Sequence, residues 1–165
     1  MNSAEILESR GLGLRVRRDD SGSDGDVGRA HVEAAKGGNG GPSHIHLLQE
    51  ERFIVQTGAL LVRRGRERLH VGAGEDVRIP PRVAHTFKAE TQSTFTVEFR
   101  PTLRVWEFFR DLFALPTDNR GNPRIGDLAR LVLAYPDEFL YLPFIPVPVQ
   151  RALAVPLSKL GSAPH

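Results

Sequence analysis

The sequence places two histidines one residue apart, with two glutamates close behind them. His44 and His46 flank Ile45, and Glu50 and Glu51 follow after three residues. In a β-strand, side chains two positions apart project from the same face, so both imidazoles would point the same way. A short turn and an antiparallel strand would bring a carboxylate opposite the pair. The spacing therefore indicates a metal site, or a buried polar network that holds no metal.

A third histidine, His85, follows Pro80-Pro81 and opens another predicted strand. Three imidazoles and one carboxylate can hold a divalent first-row metal, such as iron, manganese, nickel or zinc, and leave positions open for water or substrate. The chain contains no cysteine. Disulfides, thiolate ligands and a cysteine nucleophile are thereby excluded.

These residues resemble the motifs of the cupins. The first cupin motif reads Gly, five residues, His-x-His, three or four residues, Glu, six residues, Gly, and it is matched in full by Gly38, His44, His46, Glu51 and Gly58. The gap to the last glycine selects Glu51 rather than Glu50.

The second cupin motif is matched in part. Gly74, Pro80 and His85 occupy their places, whereas Arg82 replaces an internal glycine and Ala89 replaces an asparagine. The resemblance implies that one divalent metal (Fe, Mn, Ni or Zn) is held by His44, His46, Glu51 and His85.

The resemblance also implies an all-β fold, a cupin double-stranded β-helix or jelly-roll barrel with a C-terminal α-helical extension. We expect the barrel in residues 1–101, with the metal motifs in 38–89, and the extension in 102–165. Period-2 alternation predicts a strand at 12–17 and a loop at 19–28, followed by strands at 29–35, 43–48, 51–57, 59–64, 67–71, 76–79, 85–90 and 94–100. Alternating apolar residues should fill the barrel and line a pocket beside the metal: Phe53, Val55, Phe87, Phe95, Val97 and Phe99.

Helical periodicity begins near Leu103. It predicts helices at 103–115 and 123–135 and a third that starts near Pro148. The first should pack on the barrel through Trp106, Phe108, Phe109, Leu112 and Phe113. The third has an apolar side, which should be buried on the barrel or a second subunit rather than a membrane surface: Val149, Ala152, Leu153, Leu157 and Leu160. We therefore expect a homodimer.

Composition and charge limit the kinds of partner that the protein is expected to bind. The 165 residues carry 22 basic and 20 acidic side chains, a formal net charge of +2. The densest basic group surrounds Gly65 and is typical of a charged hairpin tip, so no nucleic-acid partner is expected: Arg63, Arg64, Arg66 and Arg68. No apolar run suffices for a membrane span and the first residues lack a signal pattern, which predicts a cytoplasmic protein.

The residues support more than one function. The first hypothesis is a metal-dependent oxygenase or isomerase that acts on a small, fairly apolar molecule in the barrel. The others are a non-catalytic binding or sensing module and an interaction protein that uses its apolar tail. Catalytic residues beyond the metal ligands stay unassigned, and Glu50 is the only nearby carboxylate that is not a predicted ligand. Arg82 is either an exposed loop residue or a contact for an anionic substrate.

Overall fold

The computed structural model describes residues 6–19, 26–118 and 123–160. Within these residues the strands are β1 (Ile6–Ser9), β2 (Leu14–Asp19), β3 (Gly28–Ala34), β4 (Glu50–Thr57), β5 (Ala59–Arg64), β6 (Glu67–Gly72), β7 (Asp76–Ile79), β8 (His85–Ala89) and β9 (Ser93–Arg100). The helices are α1 (Val105–Ala114), α2 (Ile125–Ala134) and α3 (Val147–Leu157), and a 3₁₀ turn, Ser158–Leu160, follows α3.

The strands form two antiparallel sheets around one apolar core. The larger sheet has the order β1-β2-β3-β9-β4-β7 and the smaller has β6-β5-β8. Strand β4 pairs with β9 so that Phe53 lies opposite Val97 and Val55 opposite Phe95, and these side chains pack with Leu60 of the smaller sheet. The all-β jelly-roll barrel with a C-terminal helical extension is thus confirmed.

Strict alternation explains why β4 and β9 are strands. In β4 the buried side chains are those of Glu51, Phe53 and Val55, and their neighbours Arg52 and Ile54 are only partly buried. A period of two matches the pleat of a strand with one face in the core. The alternation therefore also aims Glu51 into the barrel.

The strand predicted at 43–48 was wrong. This segment forms only isolated bridges, His44 with His85 and Ile45 with Tyr141. His44 and Ile45 pair with different partners on opposite sides, and the chain bends at Leu47 and Leu48, so no continuous ladder runs through the segment. At the N-terminal side, Asp19 belongs to β2, and most of the loop predicted at 19–28 lies outside the described residues.

The extension packs on the barrel through α1 and forms a core of its own. Val105 and Trp106 belong to the barrel core, whereas Phe108 packs with Leu131 and Tyr135 inside the extension. Helices α2 and α3 meet around Tyr141. No helix among the described residues is long and apolar enough to span a membrane.

The apolar side of α3 stays largely exposed in the single chain, and its burial against a second subunit remains a prediction. Val149, Leu153 and Leu160 remain 45, 50 and 65% exposed. The inward-facing polar residues are Gln150 and Arg151, which hydrogen-bond to the loop before α3. Their hydrogen bonds to backbone carbonyls, which apolar side chains could not make, account for the reversal.

The two motif glycines that precede a turn differ in the space around them. Gly58 and Gly74 have φ of +78° and +86°. A Cβ on Gly58 would lie 2.3 Å from Ser93 Oγ and 2.4 Å from Gln92 O, whereas a Cβ on Gly74 would meet nothing within 4 Å. Both positions need glycine for the backbone, but only Gly58 also needs it for packing.

We expect Gly58→Ala to lower the free energy of unfolding by about 3 kcal/mol and Gly74→Ala by about 1 kcal/mol. The shared cost is the left-handed backbone, and the additional cost at position 58 is the clash with the Gln92–Ser93 backbone. Urea unfolding followed by circular dichroism measures both variants. Equal losses at the two positions would contradict the role assigned to packing.

Candidate metal centre

The four candidate ligands converge inside the barrel. One donor atom from each of His44, His46, Glu51 and His85 lies within 4.8 Å of the others. All four side chains are buried, with residue exposures between 2 and 8%. This grouping could hold a metal ion.

Backbone hydrogen bonds set the relative positions of the ligand-bearing segments. His44 N donates to His85 O at 3.0 Å, and His85 N donates to His44 O at 2.9 Å. Arg82 N donates to His46 O at 2.7 Å and so ties the turn before β8 to the second histidine. The three imidazoles are therefore placed by the pairing of two segments that are far apart in the sequence.

Arg82 occupies the position where the second motif has glycine, and its backbone is in the left-handed region. Its φ is +65°, a conformation that glycine adopts at little cost and other residues adopt rarely. The Arg82 side chain is exposed and does not line the cavity described below.

Two of the imidazoles are oriented by backbone carbonyls. Nδ1 of His44 lies 2.9 Å from Pro42 O, and Nδ1 of His85 lies 2.9 Å from Val83 O. When Nδ1 donates to a carbonyl, Nε2 is the ring nitrogen available to a metal. This is the orientation that metal-binding histidines usually take.

Glu51 joins the other two rings at the centre. Its Oε2 accepts a hydrogen bond from His85 Nε2 at 2.6 Å and lies 3.6 Å from His46 Nε2. Each ring nitrogen of His85 thus faces a hydrogen-bond acceptor, and only the doubly protonated imidazolium can donate to both. A divalent cation bound between His85 Nε2 and Glu51 Oε2 would replace the proton that these two atoms share.

Burial and these contacts shift the pKa values of three of the four candidate ligands. Burial, together with His85 and His46, lowers the pKa of His44 to about 3, so its ring is neutral at physiological pH. Burial alone would raise the pKa of Glu51, but its interactions with His46 and His85 hold it well below the ordinary value. Burial opposes protonation of His85, yet the hydrogen bond to Glu51 raises its pKa.

The donor set fits a divalent metal. His46 directs Nε2 towards Glu51 at a distance of 3.6 Å, while its buried Nδ1 has no hydrogen-bond partner among the described residues. Three imidazoles and one carboxylate are ligands that suit iron, manganese, nickel and zinc alike. A buried carboxylate among imidazoles is also costly to desolvate, and a cation offsets that cost.

The remaining candidate side chains lie elsewhere. The Glu50 carboxylate accepts a hydrogen bond from Arg78 at 3.0 Å, on the opposite face of β4 from Glu51. His70 is exposed and contacts Glu90, and His31 lies on β3 opposite Arg17 and Thr96. His165 lies outside the described residues.

An apolar cavity of about 100 Å³ adjoins the four ligands. Five of the six predicted pocket residues line it: Phe53, Phe87, Phe95, Val97 and Phe99. The sixth, Val55, does not line the cavity and is buried in the barrel core. Val55 lies farther along β4 from Glu51 than Phe53 does, and its short side chain does not line the cavity, whereas the larger side chain of Phe95 opposite it does.

Sequence reasoning missed the residues that close the cavity. Strands β2 and β3 contribute Leu14, Val16, Ala30 and Val32, and Leu12 comes from the turn before β2. The extension contributes a group that we call the roof: Phe109, Leu112, Phe113 and Leu140. The roof residues of α1 had been expected only to pack against the barrel, and the amphipathic spacing of this helix was the one signal that could have indicated a lining role.

Comparison with known proteins supports the fold. A sequence model of the cupin domain matches residues 30–99, and no curated protein sequence matches the chain. A solved RmlC-like cupin from Shewanella frigidimarina is 22% identical, with a TM-score of 0.55 over 63% of this chain and 89% of its own.

Two further solved structures are similar. KdgF from a Halomonas species is 20% identical, with a TM-score of 0.54 over 61% of this chain and 88% of its own. A sugar phosphate isomerase of the cupin superfamily from Silicibacter pomeroyi is 23% identical, with a TM-score of 0.51 over 61% of this chain and 73% of its own. The motifs, the barrel and the domain match agree, and residues 30–99 of this chain form a domain of the cupin superfamily.

Proposed function

We propose that this protein binds one divalent first-row metal through His44, His46, Glu51 and His85, together with a compact apolar molecule beside the metal. One observation supports this above all others. Among the described residues that line the cavity, the four ligands are the only ones with polar side chains. A bound molecule must therefore direct its polar atoms to the metal and its apolar part to the phenylalanines.

The cavity limits the size of that molecule. An apolar protein cavity of about 150 Å³ accommodates benzene, and this cavity measures about 100 Å³. The smaller volume limits the apolar body of a chelating molecule to the size of a benzene ring or less. A sugar phosphate of the kind named for the Silicibacter pomeroyi relative would find no lysine, arginine or hydroxyl side chain among the described residues of the cavity wall.

The same lining favours oxidation over isomerisation. An isomerase usually needs a side chain that moves a proton, and the spare carboxylate, Glu50, lies on the far face of β4 with Arg78. A redox-active metal at these ligands would supply oxidation of the bound molecule by dioxygen. The protein's part would be to hold the metal, orient the apolar molecule through Phe53 and Phe95, and exclude water.

A non-catalytic binding or sensing protein is the second candidate. The absence of an acid or base beyond the four ligands on the described cavity wall favours it equally. A single measurement, the consumption of dioxygen, distinguishes the two functions. An oxygenase loaded with Fe²⁺ consumes dioxygen when catechol or acetylacetone is added, whereas a binding protein returns the probe unchanged.

Neighbouring carboxylates provide a test of the metal site. We expect Glu51→Gln to weaken binding of Zn²⁺ or Mn²⁺ more than about 100-fold, because it removes a charged ligand from the centre. Glu50→Gln should change the affinity less than about twofold, since Glu50 faces outward. Calorimetric titration of the metal-free protein measures both, and His46→Ala should also strip the metal.

Unchanged metal affinity in Glu51→Gln, or equal losses in the two glutamine variants, would contradict the assigned ligand set. Circular dichroism shows whether each variant keeps its β-rich fold.

The roof provides a test of ligand size. Phe113→Ala should enlarge the cavity and strengthen binding of 4-tert-butylcatechol relative to catechol by about tenfold, since the removed ring opens space. Phe144→Ala is the control, because Phe144 is 77% exposed and outside the cavity lining. The same preference in both variants would show that the roof does not limit ligand size.

The homodimer stays a prediction. The exposed apolar residues of α3, among them Val149, Leu153 and Leu160, supply surface that association would bury. Sedimentation should give a dimer mass, and Leu153→Lys should shift the mass towards that of the monomer. A monomer mass for the unmodified chain over a wide concentration range would refute the prediction.

A further inference from the structure

The segment that carries the first two ligands is held from behind by the helical extension. His44 and His46 face the metal centre, and the alternate residues Ile45 and Leu47 pack into the core formed by α2, α3 and Tyr141. We propose that the extension is a working part of the metal centre, with Tyr141 and Arg151 as positioning residues for His44 and His46. This inference rests on the proposed metal site.

Tyr141 takes the place of a neighbouring strand. Ile45 N donates to Tyr141 O at 2.8 Å, and Tyr141 N donates to Ile45 O at 3.2 Å. His44 makes the equivalent pair of bonds with His85 on the other side of the segment. Successive residues of an extended chain direct their backbone groups to opposite sides, so one side of the segment is fixed by β8 and the other by the extension.

Packing and a buried amide add to this attachment. Leu47 is 7% exposed and contacts the cluster of Ala129, Val132, Tyr141 and Ala154. At the end of the segment, Gln49 Nε2 donates to Pro101 O at 2.9 Å and to Thr102 O at 3.0 Å, at the junction of barrel and extension. The segment 44–49 is thereby attached along its length, although it forms no continuous strand.

Tyr141 is itself held by Arg151 of α3. The Tyr141 side chain is fully buried, and its hydroxyl donates to Pro136 O at 2.8 Å. Arg151 Nε donates to the Tyr141 hydroxyl at 2.9 Å, and its NH2 group donates to Pro136 O at 2.7 Å. Loss of the guanidinium would remove the donor to the buried hydroxyl and one of the two donors to Pro136 O, and would loosen the loop that contacts Ile45.

A neighbouring arginine supplies a matched control. Arg130 of α2 donates from Nε to Ser158 O at 3.0 Å and lies 3.6 Å from Asp127, with a side-chain exposure of 41%. Arg151 likewise donates to a carbonyl and lies 3.6 Å from Asp137, with an exposure of 42%. Arg151 donates to Tyr141, whereas the Arg130 contacts described above are with Ser158 and Asp127, so the two alanine variants remove a guanidinium at different places in the extension.

The experiment is a Co²⁺ titration of the full-length metal-free protein, followed by calorimetry and visible absorption. We expect Arg151→Ala to weaken Co²⁺ binding by about tenfold and to change the absorption bands, because groups that orient ligands tune affinity and geometry. Tyr141→Phe, which keeps the ring and removes the hydroxyl, should weaken binding by severalfold. Arg130→Ala should stay within about twofold and keep the bands, even if its unfolding temperature falls equally.

Equal Co²⁺ affinity and spectra in Arg151→Ala and Arg130→Ala would overturn the inference, and so would parent-like binding in Tyr141→Phe if Arg151→Ala fails to fold. Absence of Co²⁺ binding to the unmodified chain would instead refute the proposed metal site on which the inference rests.

Discussion

Burial of a carboxylate among three imidazoles is the constraint on which the rest of the structure depends. Glu51 is 7% exposed and its pKa is held low, so a negative charge lies inside an apolar barrel. Such a charge is tolerated only where neighbours donate to it or a cation balances it. The pairing of His44 with His85, the inward register of β4 and the carbonyls that orient two of the imidazoles all serve that requirement.

Among the described residues that line the cavity, the polar side chains lie together in one place. The four ligands form the polar patch of the cavity, and aromatic and aliphatic side chains form its other described walls. In such a space an unpaired polar group of a ligand would lose its hydrogen bonds to water without replacement. Selectivity for an apolar, chelating molecule would then arise from the walls, while affinity would come from the metal.

The extension is joined to the barrel at the level of the site. Through α1 it closes the cavity with Phe109 and Phe113, and through Tyr141 it pairs with the backbone between two ligands. The inward polar face of α3 has the same origin, because Gln150 and Arg151 satisfy the carbonyls of the loop that carries Tyr141. The helical extension follows the barrel in the sequence but contributes side chains to the barrel's cavity.

The sequence by itself determined the candidate ligand residues, the strands with strict alternation and the approximate positions of the three helices, because each is encoded largely by local spacing. His44, His46 and Glu51 lie within eight residues, and the period of two in β4 and β9 follows directly from the pleat of a strand. Only the tertiary structure decided that 43–48 is not a strand, that Phe109 and Leu140 line the cavity while Val55 does not, and that Arg151 faces inward. These features depend on contacts such as Ile45 with Tyr141, whose partners lie far apart in the chain and leave no periodic signal in either segment.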